Sequence, residues 1–505
     1  MTRLPAALLV ISVATILSGY LRELALAVVW GAGPLTDAFF VALSVPMVIA
    51  DLVIGSALTA MVVPVFTRMG PAPGNGSPQA TELFCALLTT VGIAGVAVGA
   101  AAMACAEPLI EFLGPGLDLA GQRTATRYLY WLIWLVPLNG FVVLACQTLN
   151  AMRIFVTPAC AGLIVNLVFV VGVMGVGGAP SLAVAALAGP VIVSVLLLRA
   201  LARIGISAPC RPRFRSPWFR EARALAAPMA ATVGIGSGLG LVMISHLVLR
   251  RFGSEMGDGV ISALTYAFRI YQVPMTVVIS TVGVLVAPAF AQLMRAGRQD
   301  AVRENCQELL NWGLLILIPI SVVLHTQADL VVRILFEYGR FDTDSVHMTA
   351  ELLRGMALAI PFEAVLITFL RIIQTLGRPG TTAAIGVLTV LALIVPLALG
   401  FGRADLASLP YALVIALGLG AAACLFCVSL ILKKPVFPSF KEFTVSVVLG
   451  CGLSAILTSW ESQNVAGSIA WSLGGMLAWT ASYVLLAAFA LPVRRRAIAK
   501  WLHTR

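Results

Sequence analysis

Long apolar runs, separated by short polar or glycine- and proline-containing breaks, occupy most of the chain. A helix needs about 20 apolar residues to cross a bilayer. By that criterion the pattern predicts about 14 membrane-spanning helices, over residues 4–30, 36–66, 83–105, 126–150, 155–176, 180–202, 222–250, 260–293, 306–328, 346–375, 380–401, 406–432, 443–460 and 465–491. The alternation expected of membrane strands is absent. The predicted fold class is an all-α integral membrane protein.

The longest polar linker, residues 203–223, follows the sixth predicted span and divides the chain. It separates a predicted N-lobe (1–210) from a C-lobe (211–434), and residues 435–505 add two helices and a basic cytoplasmic tail. Motifs recur in order across the linker: 40–46 as 268–274, 63–66 as 287–290, 112–137 as 336–361, and 147–150 as 374–377. These matches indicate two six-helix copies. Six is even, so a pseudo-two-fold axis along the membrane normal should relate them, and such lobes can rock to give alternating access.

Charge is sparse and unevenly distributed. Only 11% of the residues are charged, against about 25% in soluble proteins, and the formal net charge is +11. Basic residues concentrate in alternate loops and in the tail, while the intervening loops are nearly uncharged or mixed. The positive-inside rule then places both termini in the cytoplasm and accounts for the net charge without a nucleic-acid partner. The N-terminus runs straight into the first span without a cleavage site, so an uncleaved first helix is expected.

The composition gives little support for catalytic or redox chemistry. The nine cysteines are scattered, and the close pair Cys424 and Cys427 lies in an apolar run with no histidine nearby. Neither a metal site nor a cofactor is expected from this pattern. The loops are short and lack a catalytic cluster of acidic or basic residues, so the chain is not expected to be an enzyme.

Arg22, Arg269 and Arg371 lie inside segments that should be buried in the bilayer. An arginine at mid-bilayer costs about 2.5–3.5 kcal/mol, so it usually faces a cavity and meets an anion or a carboxylate. Glu23 adjoins Arg22, but neighbouring helix positions do not face each other well. Arg269 has no acidic partner in its own span and needs a ligand or a partner from the other lobe, whereas Arg371 can also snorkel from a helix end.

The planar guanidinium group donates two parallel hydrogen bonds and suits a phosphate or diphosphate. Arginines inside the spans of a carrier-like chain therefore predict an anionic cargo.

For each of the other polar residues within the spans, the sequence allows two interpretations. Asp37 starts the second helix, where it either stabilises that helix through the dipole or serves function. Asp51 and Glu363 are intramembrane carboxylates that either carry ion coupling or neutralise arginines. Pro46 and Pro274 occupy matching places in the two copies and are hinge candidates, or simple packing kinks. His246 is predicted to form a helix–helix contact rather than a proton relay.

Residues 31–42 (GAGPLTDAFFVA) resemble the signature between the first two helices of the MurJ (MviN) family of lipid II flippases. This family belongs to the multidrug/oligosaccharidyl-lipid/polysaccharide exporter superfamily. Residues 149–166, 266–274, 335–341 (LFEYGRF) and 370–377 resemble later segments of the same family, so the similarity covers roughly residues 5–435. The resemblance implies two six-helix lobes plus two helices, and movement of undecaprenyl-diphosphate-linked sugars from the inner to the outer leaflet of a bacterial inner membrane.

The resemblance also implies that basic residues in a central cavity hold the diphosphate. By motif position it retains Arg22, Asp37 and Arg269, and Arg371 falls where the family is often basic. Together with Asn166, these residues are the predicted substrate-binding set.

The chain departs from the family where Ile16 and Ala50 replace two usual arginines. The predicted cargo is a lipid II-like peptidoglycan precursor; the alternatives are another lipid-linked polysaccharide precursor or a cation-coupled multidrug exporter. Expected partners are the lipid-linked saccharide diphosphate, membrane lipids and cell-wall synthesis proteins. The protein is expected to be a monomer, and coupling to the membrane potential or to a monovalent ion stays open.

Overall fold

The structure is a computed structural model, and it describes residues 3–50, 78–175, 178, 180–206, 239–281, 290, 292–293, 296, 298–401, 405–438 and 440–463. These residues form helices and short connections. The helices of the first half, called the N-half, are α1 (Arg3–Trp30), α2 (Pro34–Ile49), α3 (Pro78–Ala104), α4 (Ala106–Leu113), α5 (Leu119–Leu132), α6 (Leu135–Ala151), α7 (Val156–Gly175) and α8 (Pro180–Arg203).

The remaining helices fall into a second set and one further helix. The second set, called the C-half, comprises α9 (Leu239–Ser254), α10 (Val260–Thr281), α11 (Gln299–Thr326), α12 (Ala328–Phe336), α13 (Thr343–Ala357), α14 (Ile360–Thr375), α15 (Pro379–Ala398) and α16 (Ser408–Leu432). The further helix, α17 (Phe440–Gln463), packs along α11.

The described part contains eight helices that are long and apolar enough to cross a membrane, or nine if the bent pair α13–α14 counts as one span. The prediction of an all-helical, multi-pass membrane protein is confirmed at this level. The count of 14 stays a prediction, because residues 51–77, 207–238 and 464–505 lie outside the described residues. Asp51 falls in the first of these stretches.

Two predicted spans are broken rather than continuous. The run 126–150 divides between α5 and α6, and the run 346–375 divides between α13 and α14, which meet at 49°. Pro137 and Pro361, which fall inside these two predicted spans, lie in the first turn of the second helix of each pair. A proline is tolerated there because the first-turn N–H has no partner within the helix.

Two short helices, α4 and α12, occupy stretches that the charge pattern assigned to loops. An aspartate caps the helix that follows each of them. Asp118 accepts a hydrogen bond from Gly121 N at 2.6 Å, and Asp342 accepts one from Ser345 N at 2.9 Å. Hydrogen bonds from Ser345 hold the pKa of Asp342 below its ordinary value. The two aspartates matched by the sequence repeat thus perform the same local task.

Helices of the N-half pack mainly on one another, and so do those of the C-half. The described contacts between the halves include an aromatic cluster near the C-terminal end of α1. Tyr266 contacts Phe336 and Phe341 in the C-half, with ring centroids 5.3 and 5.4 Å apart. Phe40 meets Tyr266 at 6.0 Å, and Tyr20 meets Phe336 at 5.9 Å.

Beside this cluster, the backbones of the two halves interlock. The N–H of Arg340 donates to Val28 O at 2.9 Å, and the Tyr20 hydroxyl donates to Leu335 O at 2.6 Å. Gly31 and Gly339 both have left-handed backbone angles, with φ of 68° and 65°. A Cβ on Gly31 would lie 2.6 Å from Arg340 O, and one on Gly339 would collide with Val28 O. Each glycine therefore permits the close approach of backbone from the other half of the protein.

The contacts of Gly31 and Val28 with Gly339 and Arg340 form what we call the interlocked joint. We expect Gly339→Ala to weaken it. The left-handed conformation alone costs an L-residue about 1–2 kcal/mol, and the collision with Val28 adds to that cost. The measurement is unfolding of the purified protein in detergent. Gly33→Ala is the matched control, because Gly33 has an extended φ of −173° and no atom within 4 Å of a new Cβ. Equal stability of the two variants would contradict the interlock.

Candidate functional site

Two arginines, one from each half, bind a single buried carboxylate oxygen. Arg22 Nη2 on α1 lies 2.6 Å from Glu23 Oε1, and Arg269 Nε on α10 lies 2.8 Å from the same atom. The Glu23 side chain is only 2% exposed, whereas those of Arg22 and Arg269 are 22% and 39% exposed. The carboxylate is thus enclosed, while both arginine side chains are partly exposed.

A third arginine joins this group from α9. Arg250 Nη1 donates to Ser44 Oγ on α2 at 3.2 Å, and Arg250 lies near enough to Glu23 and Arg269 for their charges to act on it. We call Arg22, Glu23, Arg250 and Arg269 the arginine cluster. The described residues of the cluster thus comprise three guanidinium groups and one carboxylate, which contacts Arg22 and Arg269. Positive charge of this kind in an apolar environment is stabilised by an additional anion.

Neighbouring groups hold the arginines in place. Arg269 Nη1 also donates to Gln272 Oε1, one turn along α10, at 3.3 Å. The Arg22 guanidinium lies 5.7 Å from the ring centre of Phe169, within reach of a cation–π contact. Each guanidinium therefore keeps some N–H groups unused by Glu23, as a site for a larger anion requires.

Asp37 connects the halves close to the arginine cluster. It is 1% exposed and accepts hydrogen bonds from Gly259 N at 2.6 Å, from Ser262 N at 2.7 Å and from the Ser262 hydroxyl. Its own helix begins at Pro34, and Gly33, the N-cap residue, provides no side-chain cap. Asp37 on α2 therefore caps α10, the helix that carries Arg269. A carboxylate is favourable at a helix N-terminus because the first N–H groups have no partner within the helix.

The other predicted residues lie at separate places. Asn166 Nδ2 on α7 donates to Ser18 Oγ on α1 at 3.1 Å and so ties these two helices together. Pro46 and Pro274 lie inside α2 and α10. Arg371 lies near the end of α14, and its buried Nε has no hydrogen-bond partner in the described part of the chain. The structure does not bring Arg371 into the arginine cluster.

Glu363 lies in a second polar group, inside the C-half. It is 6% exposed and accepts a hydrogen bond from the Tyr271 hydroxyl. His246 Nε2 on α9 lies 3.5 Å from Glu363 Oε2. An apolar cavity of about 310 Å³ lies beside α10, α11 and α14, with Pro274, Trp312 and Phe369 in its lining.

Sequence reasoning missed the central role of Glu23 and the contribution of Arg250. Adjacent positions point in different directions, but the long Arg22 side chain reaches back to Glu23. The expectation that these neighbours face each other poorly was therefore wrong for this pair. Because Arg269 has no acidic partner in its own span, the sequence predicted a ligand or a partner from the other lobe. In the structure this partner is Glu23.

Apolar helices that cross the membrane repeatedly, with partly accessible arginines from both halves on one carboxylate, define a carrier suited to an anionic cargo. The family model described as lipid II flippase MurJ matches residues 26–460. That stretch is most of the chain, and the chain belongs to the lipid II flippase MurJ family, a family of membrane transporters.

Individual relatives agree with this assignment. The lipid II flippase MurJ of Burkholderia cenocepacia is 28% identical over 499 residues, which cover 91% of this chain and 90% of that protein. The probable lipid II flippase MurJ of Rhizobium tropici is 27% identical over 358 residues, covering 68% of this chain and 65% of the relative's length.

Solved structures show the same fold. A lipid II flippase MurJ in an inward closed conformation superposes with a TM-score of 0.77 at 18% identity, covering 97% of this chain and 100% of the other. An inward-facing multidrug resistance MATE transporter of the MOP superfamily gives 0.68 at 14% identity, covering 85% and 98%. The predicted resemblance to the MurJ family is thereby confirmed, and the fold is shared with a transporter of the MOP superfamily.

We expect substitutions of Asp37 to destabilise the protein in a graded order. Asp37→Asn keeps one side-chain oxygen for the start of α10, whereas Asp37→Ala leaves Gly259 and Ser262 without their acceptor. Leaving buried donors unpaired costs about 1–3 kcal/mol. Thermal unfolding in detergent should therefore rank wild type above Asp37→Asn and Asp37→Ala last. Wild-type stability of Asp37→Ala would contradict the capping role.

Proposed function

We propose that the chain moves a polyprenyl-diphosphate-linked saccharide, a lipid II-like peptidoglycan precursor, from the inner to the outer leaflet of a bacterial inner membrane. The observation that carries this proposal is the shared hold of Arg22 and Arg269 on Glu23. A carboxylate oxygen already occupies a position where guanidinium groups from both halves converge. A phosphate oxygen has the charge and acceptor geometry to compete for the same donors.

A diphosphate suits this site better than a single carboxylate does. It offers more oxygen acceptors and more negative charge, and the described part of the cluster has three guanidinium groups but one carboxylate, which two of them contact. Glu23 keeps the arginines together before the cargo arrives. The diphosphate would then take hydrogen bonds from their exposed surfaces, with Arg250 adding attraction from behind.

The position of the cluster fits alternating access between two lobes. Glu23 precedes Gly31 of the interlocked joint by eight positions, which is about 12 Å along a helix. The positive-inside argument puts both termini in the cytoplasm, so the joint would close the extracytoplasmic side. We propose that the lobes, residues 1–210 and 211–434, rock about the site and break this joint to release the cargo. Pro46 and Pro274 are the hinge candidates.

The finer architecture belongs to the same proposal. Fourteen spans, with the last two in residues 435–505, keep both termini on the cytoplasmic side. The additional helices would border a groove for the lipid tail, and α17 already packs along α11. The protein would act as a monomer that catalyses no chemical reaction, alongside cell-wall synthesis proteins.

The identity of the saccharide is the main alternative within this class. Ile16 is 53% exposed on α1, and Ala50 is buried at the end of α2. Neither supplies the positive charge that the family usually carries at that position. A cargo with a different headgroup, such as another lipid-linked polysaccharide precursor, is therefore the second candidate.

A cation-coupled multidrug exporter fits the site less well. The partly exposed groups of the arginine cluster are positive and would repel a cationic drug. The fold alone is common to both kinds of transporter.

Flipping of a lipid-linked saccharide in proteoliposomes tests the site. We expect Arg22→Ala and Arg269→Ala each to reduce the rate by at least about tenfold, since a charge-assisted hydrogen bond contributes about 1.5–3 kcal/mol. Arg251→Ala is the matched control. Arg251 lies beside Arg250 on α9 but pairs with Glu255 through a partly exposed contact at 3.0 Å. Normal rates in both site variants would refute the proposed site.

Replacement of a bacterium's own lipid II flippase by this chain tests the cargo. Growth with this chain as the only copy is the expected result and would show transport of lipid II. Failure to grow, with the protein correctly inserted and present at normal abundance, would favour a different lipid-linked saccharide.

A further inference from the structure

The polar group inside the C-half is separate from the arginine cluster and joins three helices. Glu363 lies on α14, Tyr271 on α10 and His246 on α9. The Tyr271 hydroxyl donates to Glu363, and His246 Nε2 lies 3.5 Å from the same carboxylate oxygen. The side chains of His246 and Glu363 are 11% and 8% exposed. An acid and a base thus face each other within the protein.

The histidine is incompletely satisfied. Both of its ring nitrogens are buried, and within the described residues neither has a hydrogen-bond partner. Its ring packs against Phe268, with the centroids 4.3 Å apart. A buried polar atom without a partner is unfavourable because it has lost its hydrogen bonds to water. A proton on the imidazole would convert the 3.5 Å approach to Glu363 into an ion pair and relieve part of that cost.

Few other ionisable groups face this pair. From α16, Cys424 contacts the Leu366 carbonyl oxygen on α14 at 4.0 Å. Helix α15 has no ionisable side chain. The charged residues of α11 lie in its first turns, and its His325 bonds to Arg354 O near the opposite end. On α14 itself, Arg371 is eight positions from Glu363, about 12 Å along the helix.

The neighbouring positive charges point elsewhere. On α10, Arg269 is directed to Glu23, and on α9, Arg250 donates to Ser44. In the part of the chain that the structure describes, His246 is therefore the basic group placed to receive a proton beside Glu363.

The pair is mechanically connected to the arginine cluster. His246 lies four positions, one helical turn, before Arg250 on α9. Tyr271 lies two positions after Arg269 on α10. Both helices that contact Glu363 thus also present an arginine toward the N-half. A change in the attraction between His246 and Glu363 would shift α9 relative to α14 and move Arg250 with it.

We propose that His246 and Glu363 bind and release one proton in each transport cycle, and that this proton couples the cycle to the transmembrane pH gradient. The inference rests on the proposed function. A proton from water on the extracytoplasmic side joins neutral His246 beside ionised Glu363 and forms a pair of zero net charge. The pair returns the proton to cytoplasmic water in the state closed at the interlocked joint. Proton entry then accompanies outward movement of the lipid.

The first experiment detects the proton without measuring transport. The chain has four histidines, so ¹⁵N-histidine nuclear magnetic resonance of the protein in lipid should give few signals, and His246→Gln assigns the relevant one. We expect the His246 signal to titrate in the wild type, and to titrate at lower pH in Glu363→Gln, because the imidazolium loses its counterion. A His246 ring that stays neutral wherever the protein is folded would overturn the proposal, as would an unchanged titration in Glu363→Gln.

The second experiment measures coupling in proteoliposomes whose membrane potential is clamped with potassium and valinomycin. One proton per lipid should change the ratio of lipid between the leaflets by about tenfold for each unit of pH gradient. We expect this dependence to vanish in Glu363→Gln and His246→Gln, and to persist in the control His325→Gln. A wild type that flips lipid without responding to the gradient overturns the coupling. A wild type that flips no lipid-linked saccharide, while His246 titrates as expected, contradicts the proposed function and leaves the proton site established.

Discussion

Charge that has been removed from water must be balanced close by, and in this protein Glu23 provides that balance for arginines from both halves. Arg22 arrives from the same helix, while Arg269 and Arg250 arrive from the other half of the chain. An isolated arginine within the bilayer is costly. The two halves therefore gain stability by meeting at this carboxylate, and the same meeting leaves guanidinium surface available to an anion. Under the proposed function, structural cohesion and cargo recognition would depend on one set of side chains.

The remaining contacts between the halves position that set. Asp37 fixes the start of α10 and thereby the register at which Arg269 reaches Glu23. The glycine interlock and the Tyr266 cluster bring the ends of α1 and α12 together. Asn166 ties α7 to α1 just before the segment that carries Arg22. Each of these contacts acts on the geometry of the cluster through a rigid helix.

Much of this organisation could be predicted from the sequence, because apolar run length reports directly on membrane burial. The positions of α1, α7, α8 and α16 followed from that measure. The breaks before Pro137 and Pro361 did not, because hydropathy continues across them and only the chain geometry changes. The helices α4 and α12 were missed because eight or nine amphipathic residues are too few to register as a span. Arg269 was recognisable by its isolation, whereas Arg250 and His246 gained meaning only when folding placed Ser44 and Glu363 beside them.

The Asp37 cap has a consequence for the energy of opening. Hydrogen bonds from Gly259 and Ser262 to a carboxylate can be exchanged almost one for one with hydrogen bonds to water, so the net free energy of each, about 1.5–3 kcal/mol, is only part of its strength in an apolar medium. Parting of the halves at this point would hydrate the first turn of α10 and the carboxylate together, with little loss in the number of bonds. A seal built this way excludes solvent while closed, yet contributes only modestly to the difference in free energy between the closed and open forms. Water itself is then the competitor that makes the seal reversible.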